Sequence, residues 1–287
     1  MEEKYYDGKK EFKELLEMTE DVFSSPIKRW AEYCLTNKKI DIDVSEWAMK
    51  NYVEMYDYLK GVKLKKQRGY EYKYEVEACG VAFRGDTMTS FANFIRKYFK
   101  EKKKLRNIGK ENCANKIKSG EYVVEDDYMH EFSYLQHTQG NLIPVPLCFN
   151  VERSGAFADR DYWDIVMYNI YMWCESGDER YIYDLLNRYN KNTHMAESVC
   201  RFKYWMSLYH HNWNEFCDRN YLRAFVDSEG YPIEFWKNHF AFNRKIESLS
   251  LCEFEDSVKL INKLIKKRNE EINRNSKGVI YGGGFLT

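Results

Sequence analysis

The chain alternates between two hydrophobic periodicities, and each predicts a different secondary structure. Over residues 70–78, apolar side chains alternate with charged ones, which is the period-two pattern of a half-buried strand. From Asp43 to Leu59, apolar side chains instead recur every three and four residues, as on one face of an amphipathic helix. Asp43 and Glu46 resemble a capping box, so we expect this helix to begin there.

The three-to-four spacing dominates the rest of the chain. We expect Asp86 to cap a helix that follows it. Residues 161–174 are apolar nearly all round, which indicates a central, buried helix. Residues 138–160 hold Pro144 and Pro146, half of all the prolines, and are predicted to be irregular. Further helices are predicted over residues 9–23, 127–137, 178–189, 194–212, 214–226 and 254–274.

These elements predict a mainly α-helical fold with a small β element around 70–78 and 121–124. The strand at 70–78 is expected to pair either with 121–124 or with the segment after Asn141. Only 15 Gly and 4 Pro occur in 287 residues, which is too few chain breakers for an all-β fold with many turns. The length fits one compact domain over 1–275, with 276–287 as a flexible C-terminal tail.

The formal net charge of zero conceals a strong internal asymmetry. Residues 60–118 carry 17 basic and 6 acidic groups, a net charge of +11, whereas residues 119–257 carry 12 and 23, a net charge of −11. The basic block could contact phosphate. It could equally dock on the acidic part of this chain or of a second copy, or form a solvated face, so nucleic acid, a partner protein and a homo-oligomer all stay open. The candidate nucleic-acid residues are Lys63, Lys65, Lys66, Arg68, Lys102, Lys103, Lys104 and Arg106.

Composition excludes several classes of protein. None of the eight cysteines forms a C-x-x-C pair, which argues against a zinc ribbon or a redox motif. The opening Glu-Glu-Lys is unlike a secretory signal, and no apolar stretch is long enough to span a bilayer. We therefore expect a cytoplasmic protein with reduced thiols and no membrane partner. The 24 Tyr, 17 Phe and 7 Trp suggest either stacking platforms for bases or the codon bias of an AT-rich genome.

Polar side chains of chemical interest cluster between Gln136 and Trp163. His137 can donate, accept or bind a metal, Asn141 and Asn150 offer amides, and Arg153 can clamp a phosphate or carboxylate. The candidate catalytic residues are His137, Asn141 and Asn150, and the candidate ligand-binding residues are Arg84, Asp86, Arg153, Asp161, Trp163 and Asp164. Asp161 or Asp164 could orient the histidine or a metal. The cluster can brace the fold, bind a ligand or support metal-dependent catalysis, and no cofactor or metal set is evident.

Two blocks of the sequence resemble a family of bacterial and prophage-encoded proteins without an established reaction. One block runs from His137 to Leu142 as H-T-x-G-N-L, and is followed by Phe149-Asn150 and by D-Y-W-D at 161–164. The other is G-D-T-M-x-S-F from Gly85 to Phe91. The recognisable blocks lie within residues 80–175. The resemblance implies a setting in phage defence or on mobile elements, and it implies no particular activity.

The Gly140-Asn141-Leu142 segment is also similar to part of the HNH-like nuclease domain of GmrSD-type restriction enzymes. In that domain the segment follows an Asp-His-Ile-x-Pro motif, which supplies the general base and a metal ligand. This chain has no Asp-His pair, and its nearest counterpart is His130 within a predicted helix. The similarity implies a degenerate nuclease, or an enzyme handling a phosphate or nucleotide, as the alternative function.

Three functional hypotheses follow. The first is a nucleic-acid-associated protein of phage defence or mobile elements that binds through the 60–118 block. The second is an enzyme that uses His137, Asn141 and Asn150, with Arg153 and an aspartate, on a phosphorylated or nucleotide substrate. The third is a non-catalytic interaction or regulatory protein whose motifs only brace the fold. We favour the third as the physical interpretation and the first as the biological setting.

Overall fold

The computed structural model describes residues 26–36, 42–70, 73–102, 108–153, 162–186, 194–241 and 244–275. These residues form eleven α-helices and one four-stranded antiparallel sheet, which confirms the mainly α-helical class with a small β element. The helices are α1 Pro26–Thr36, α2 Glu46–Met55, α3 Phe91–Lys102, α4 Lys110–Lys118, α5 Asp127–Leu135, α6 Phe149–Arg153, α7 Trp163–Ser176, α8 Arg180–Leu186, α9 Met195–Ser207, α10 Trp213–Arg219 and α11 Leu251–Asn275. The strands are β1 Leu64–Lys66, β2 Tyr74–Ala78, β3 Val81–Thr87 and β4 Leu142–Pro146.

The sheet has the strand order β1-β2-β3-β4. The strand predicted at 70–78 is confirmed over β2, whereas residues 71–72 lie outside the described part. Its predicted partners are wrong, because β2 pairs with β1 and β3. Cys79 and Gly80 join β2 to β3 with φ angles of 52° and 81°. Two successive positive φ angles are typical of a type I′ hairpin turn, which brings the next strand alongside.

Residues 121–124 do not form the predicted strand. The Tyr122 N–H donates to the Lys116 carbonyl at 3.0 Å, and the Tyr122 ring packs 4.6 Å from that of Phe99. This segment therefore turns back on the end of α4 and packs against α3. Its alternation of buried and exposed side chains comes from that packing and not from a sheet.

The segment 138–160 is more regular than predicted. It contains a 3₁₀ turn at Gln139–Asn141, then β4 and α6, while residues 154–160 lie outside the described part. Pro144 opposes Gly85 and Pro146 opposes Phe83 across the β3–β4 ladder. Because β4 is at the edge of the sheet, it has no second neighbouring strand in the described structure. The missing N–H groups of its prolines therefore remove no hydrogen bonds to such a strand.

Two helix starts differ from the sequence prediction. Ser45, and not Asp43, caps α2, since its Oγ accepts from the Ala48 N–H at 3.2 Å. Asp86 lies inside β3 opposite Ile143 and does not cap α3. In both places the tertiary position of the strand or turn overrides a local capping pattern.

The later helices follow the prediction with shifted bounds: the helix predicted over 194–212 is shorter, at Met195–Ser207, and the one predicted over 254–274 is longer, at Leu251–Asn275. The helix predicted over 214–226 ends at Arg219 and gives way to a 3₁₀ turn at Arg223–Phe225, after Tyr221 adopts a positive φ of 56°. The central helix α7 is buried up to Ile170 except at the half-buried Tyr168, half-buried over 171–174, and exposed at Glu175 and Ser176.

One hydrophobic cluster connects the helices and the sheet, from Ile27 at one end of the sequence to Ile272 at the other. It contains aromatic rings in edge-to-face contact, such as Phe94 against Phe132 and Tyr162. Such pairs add a directional preference to the burial of apolar surface. Of the helices in the described ranges, none combines the length and the apolar character that crossing a membrane needs.

Candidate functional site

Asn141 ends the 3₁₀ turn before β4, and its side chain has no exposed surface. Its Oδ1 accepts from the Thr89 N–H at 3.0 Å. Its Nδ2 donates to the Thr89 carbonyl at 3.0 Å and to the Gln136 carbonyl at 2.9 Å. Both amide donors are therefore used on the backbone. Asn141 ties the end of α5 to the connection between β3 and α3.

Asp86 and Arg153 form a buried ion pair between β3 and the end of α6. The Arg153 Nε and Nη2 lie 3.0 and 2.6 Å from Asp86 Oδ2, and the arginine is 2% exposed. The guanidinium also lies 5.6 Å from the centroid of the Trp163 ring. A buried pair of this kind is costly to break, because the remaining charge would be left without compensation. The two sequence blocks thus meet in space and join the sheet to α6 and α7.

Asp164 contacts a histidine, but not the one that the sequence suggested. Its Oδ2 lies 2.6 Å from His239 Nδ1 and accepts from the Phe235 N–H at 2.8 Å. The imidazole packs 3.7 Å from the Trp236 ring. An Asp–His pair has the composition of a general base, but both side chains are buried. The histidine that the sequence suggested, His137, is half-buried in the turn after α5. The 75-residue separation of Asp164 and His239 has no local signal in the sequence.

Arg268 of α11 is a further buried residue that sequence reasoning missed. It is fully buried and donates to the carbonyls of Gln139 and Leu142 at 2.8 and 2.9 Å. It also donates to the Tyr56 hydroxyl at 2.8 Å. Burial raises the pKa of Tyr56 to about 12, so the phenol stays neutral. Arg268 satisfies backbone acceptors on both sides of Asn141 and fixes α11 against the turn.

Gly140 allows α11 to approach this turn closely. A Cβ at this position would lie 2.3 Å from the Ile265 carbonyl oxygen. The Gly140 N–H donates to Asn269 Oδ1 at 2.5 Å, and Asn269 Nδ2 donates to Thr138 Oγ1 at 2.9 Å. The Thr, Gly and Asn of the H-T-x-G-N-L block therefore each make a contact that positions the backbone.

The remaining candidates are dispersed. Asn150 is exposed on α6. Arg84 donates to Glu75 Oε2 through Nε and Nη2, at 3.1 and 2.8 Å, as a cross-strand pair. Asp161 lies outside the described residues. Across the described ranges, no three His, Cys, Asp or Glu side chains are grouped closely enough to hold a metal ion.

The basic hairpin, which we define as residues 63–70 and 73–78 with β1 and β2, carries the first group of nucleic-acid candidates. Lys63, Lys65, Lys66 and Arg68 are all exposed. Lys65 forms a salt bridge with Glu77 at 2.5 Å. Lys63, Lys66 and Arg68 form none with any other residue that the structure describes. Three cations are thus available at one edge of the sheet.

The second group of candidates lies around α3 and α4. Lys102 pairs with Asp126 at 3.2 Å, and its neighbours on α4, Lys116 and Lys118, also have carboxylate partners. Lys103, Lys104 and Arg106 lie outside the described residues. Lys102, Lys116 and Lys118 are therefore paired within the chain.

No protein-family model matches the chain, and comparisons with curated proteins and with solved structures return no match either.

Proposed function

We propose that the protein is a non-catalytic interaction protein that contacts nucleic acid through the basic hairpin. The observation that carries the proposal is the exposure of Lys63, Lys66 and Arg68 without salt bridges in the described structure. A cation without an internal partner can neutralise a phosphate and release a counterion without first breaking an ion pair.

The contrast with the second basic group supports the choice of the hairpin. Lys102 and Lys118 already lie 3.2 and 2.6 Å from the carboxylates of Asp126 and Glu32. Contact with phosphate would compete with these pairs. Exposed pairs are individually weak, but together they reduce the local positive potential.

The non-catalytic part of the proposal rests on the burial of Asn141 and Arg153. A catalytic group must be reachable by its substrate. Asn141 uses its amide on the backbone of Thr89 and Gln136, and Arg153 uses its guanidinium on Asp86. These contacts support a bracing role. A setting in phage defence or on a mobile element rests on the sequence resemblance alone.

The test is the salt dependence of binding to a fluorescently labelled oligonucleotide. We expect the triple variant Lys63→Ala/Lys66→Ala/Arg68→Ala to bind more weakly, because three phosphate contacts are lost. The slope of log K against log salt should become shallower by about 2, at roughly 0.7 per contact on a single strand.

A matched control removes the same charge elsewhere. The variant Lys102→Ala/Lys116→Ala/Lys118→Ala changes three lysines that have internal partners, and it should leave the slope unchanged. Absence of binding at low salt would overturn the proposal. Equal slopes for wild type and hairpin variant would overturn it as well.

A further inference from the structure

Tyr70 stands at the tip of the basic hairpin with 51% of its surface exposed. Its backbone position is fixed by the turn. The Gln67 N–H donates to the Lys73 carbonyl at 2.8 Å, and the Tyr70 N–H donates to the Gln67 carbonyl at 3.1 Å. The hairpin therefore presents an aromatic ring at a defined place beyond the ends of β1 and β2.

One cation lies over this ring, and a second is close to it in the sequence. The Lys73 Nζ lies 5.0 Å from the ring centroid, and Arg68 is exposed two residues before Tyr70. An ammonium near an aromatic ring is attracted to it and restricts its orientation. We infer that the hairpin tip binds single-stranded nucleic acid, with an unpaired base stacked on Tyr70 and an adjoining phosphate near Arg68. This inference rests on the proposed function and specifies its substrate class.

Two carboxylates on β2 argue against entry of the hairpin into a duplex groove. Glu75 and Glu77 lie on β2, and each already holds a cation, Arg84 and Lys65 respectively. A two-stranded ribbon inserted into the major groove lies between two phosphate backbones. Insertion would bring both carboxylates close to phosphate. Contact through the tip avoids this repulsion, and stacking on a splayed base requires only the tip.

The experiment compares three labelled probes of equal length: a thymidine oligomer, an abasic oligomer and a duplex. Tyr70→Ala should weaken binding to the thymidine oligomer by about 5- to 150-fold, the range that one aromatic–base stack contributes. Tyr70→Phe keeps the ring and should retain most of the affinity. Tyr183→Ala removes an exposed tyrosine from α8, far along the chain from the hairpin, and should have no effect.

The abasic probe isolates the stacking. It keeps the phosphates but offers no base, so Tyr70→Ala should leave its affinity unchanged. The inference is overturned if duplex and single strand bind equally well, if Tyr70→Ala behaves like Tyr183→Ala, or if Tyr70→Ala weakens the abasic probe as much as the thymidine one. In each of these cases salt-dependent binding would still uphold the proposed function. If the wild-type protein binds none of the three probes at low salt, both the inference and the proposed function are overturned.

Discussion

Replacing Asn141 with alanine tests whether the H-T-x-G-N-L block braces the fold. The substitution removes three hydrogen bonds from a fully buried position. It leaves the Thr89 N–H and the carbonyls of Thr89 and Gln136 without these partners in a region closed to solvent. The bonds made by the Asn141 backbone stay in place, so the loss can be assigned to the side chain.

The expected cost is large for a single substitution. An unsatisfied buried polar group costs about 1–3 kcal/mol. The three groups together should lower the free energy of unfolding by about 3–5 kcal/mol, because local relaxation recovers part of the sum. For a domain of this size, that corresponds to a drop of roughly 10 °C in melting temperature.

Urea unfolding followed by tryptophan fluorescence would measure this loss by linear extrapolation. Asn150→Ala is the matched control, since Asn150 belongs to the same sequence block but is exposed. It should change stability by no more than about 0.5 kcal/mol. Asn141→Asp retains the size of the side chain but turns the two donors into an acceptor facing carbonyls. It should therefore destabilise the fold at least as much as Asn141→Ala.

Two results would refute this reasoning. If Asn141→Ala is as stable as Asn150→Ala, the three hydrogen bonds do not hold the turn. If it is stable but loses nucleic-acid binding or an enzymatic activity, Asn141 acts on a ligand and the bracing role is wrong.

Two further predictions concern α11 and the region around it. Gly140→Ala should lower the free energy of unfolding by about 1–3 kcal/mol, because the added Cβ overpacks against the Ile265 carbonyl. Gly109→Ala adds a Cβ with no atom within 4 Å, so it should lower the free energy of unfolding by less. Equal losses for the two variants in urea unfolding would contradict the close approach of α11. The Arg244 guanidinium lowers the pKa of Glu253 from 4.5 to about 2, so the stabilisation from this carboxylate is present above pH 4.5 and is lost as the pH falls toward 2. The melting temperatures of wild type and Glu253→Gln should therefore converge over that interval, and a constant difference would exclude the ion pair as its cause.

The fold class and most helices could be predicted from the sequence because their signal is local. The three-to-four spacing in α2, α3 and α11 records which face of each helix is buried, and the alternation in β2 records the face of the sheet. The apolar character of α7 likewise indicated a central position, which its first half occupies. These features depend only on residues a few positions apart.

The contacts that define the candidate site join distant parts of the chain. Asp86 and Arg153 are 67 residues apart, Asp164 and His239 75, and Arg268 and Tyr56 212. No periodicity encodes such pairs, so the prediction that Asp161 or Asp164 would orient His137 could not anticipate His239. The pattern at 121–124 could not distinguish a strand from a loop packed on α3, because both bury alternate side chains.

The sequence by itself determined most of the helical segments, the buried face of those helices and where the positive charge is concentrated. Only the tertiary structure decided that Lys63, Lys66 and Arg68 form no salt bridge with another described residue while Lys102 and Lys118 are paired. It also decided that the Asn141 amide faces backbone groups and not solvent. The physical reason is that the burial pattern follows from the apolar or polar character of residues a few positions apart in the chain. The neutralisation of a charge or the satisfaction of a donor depends instead on which groups the folded chain brings within hydrogen-bond distance.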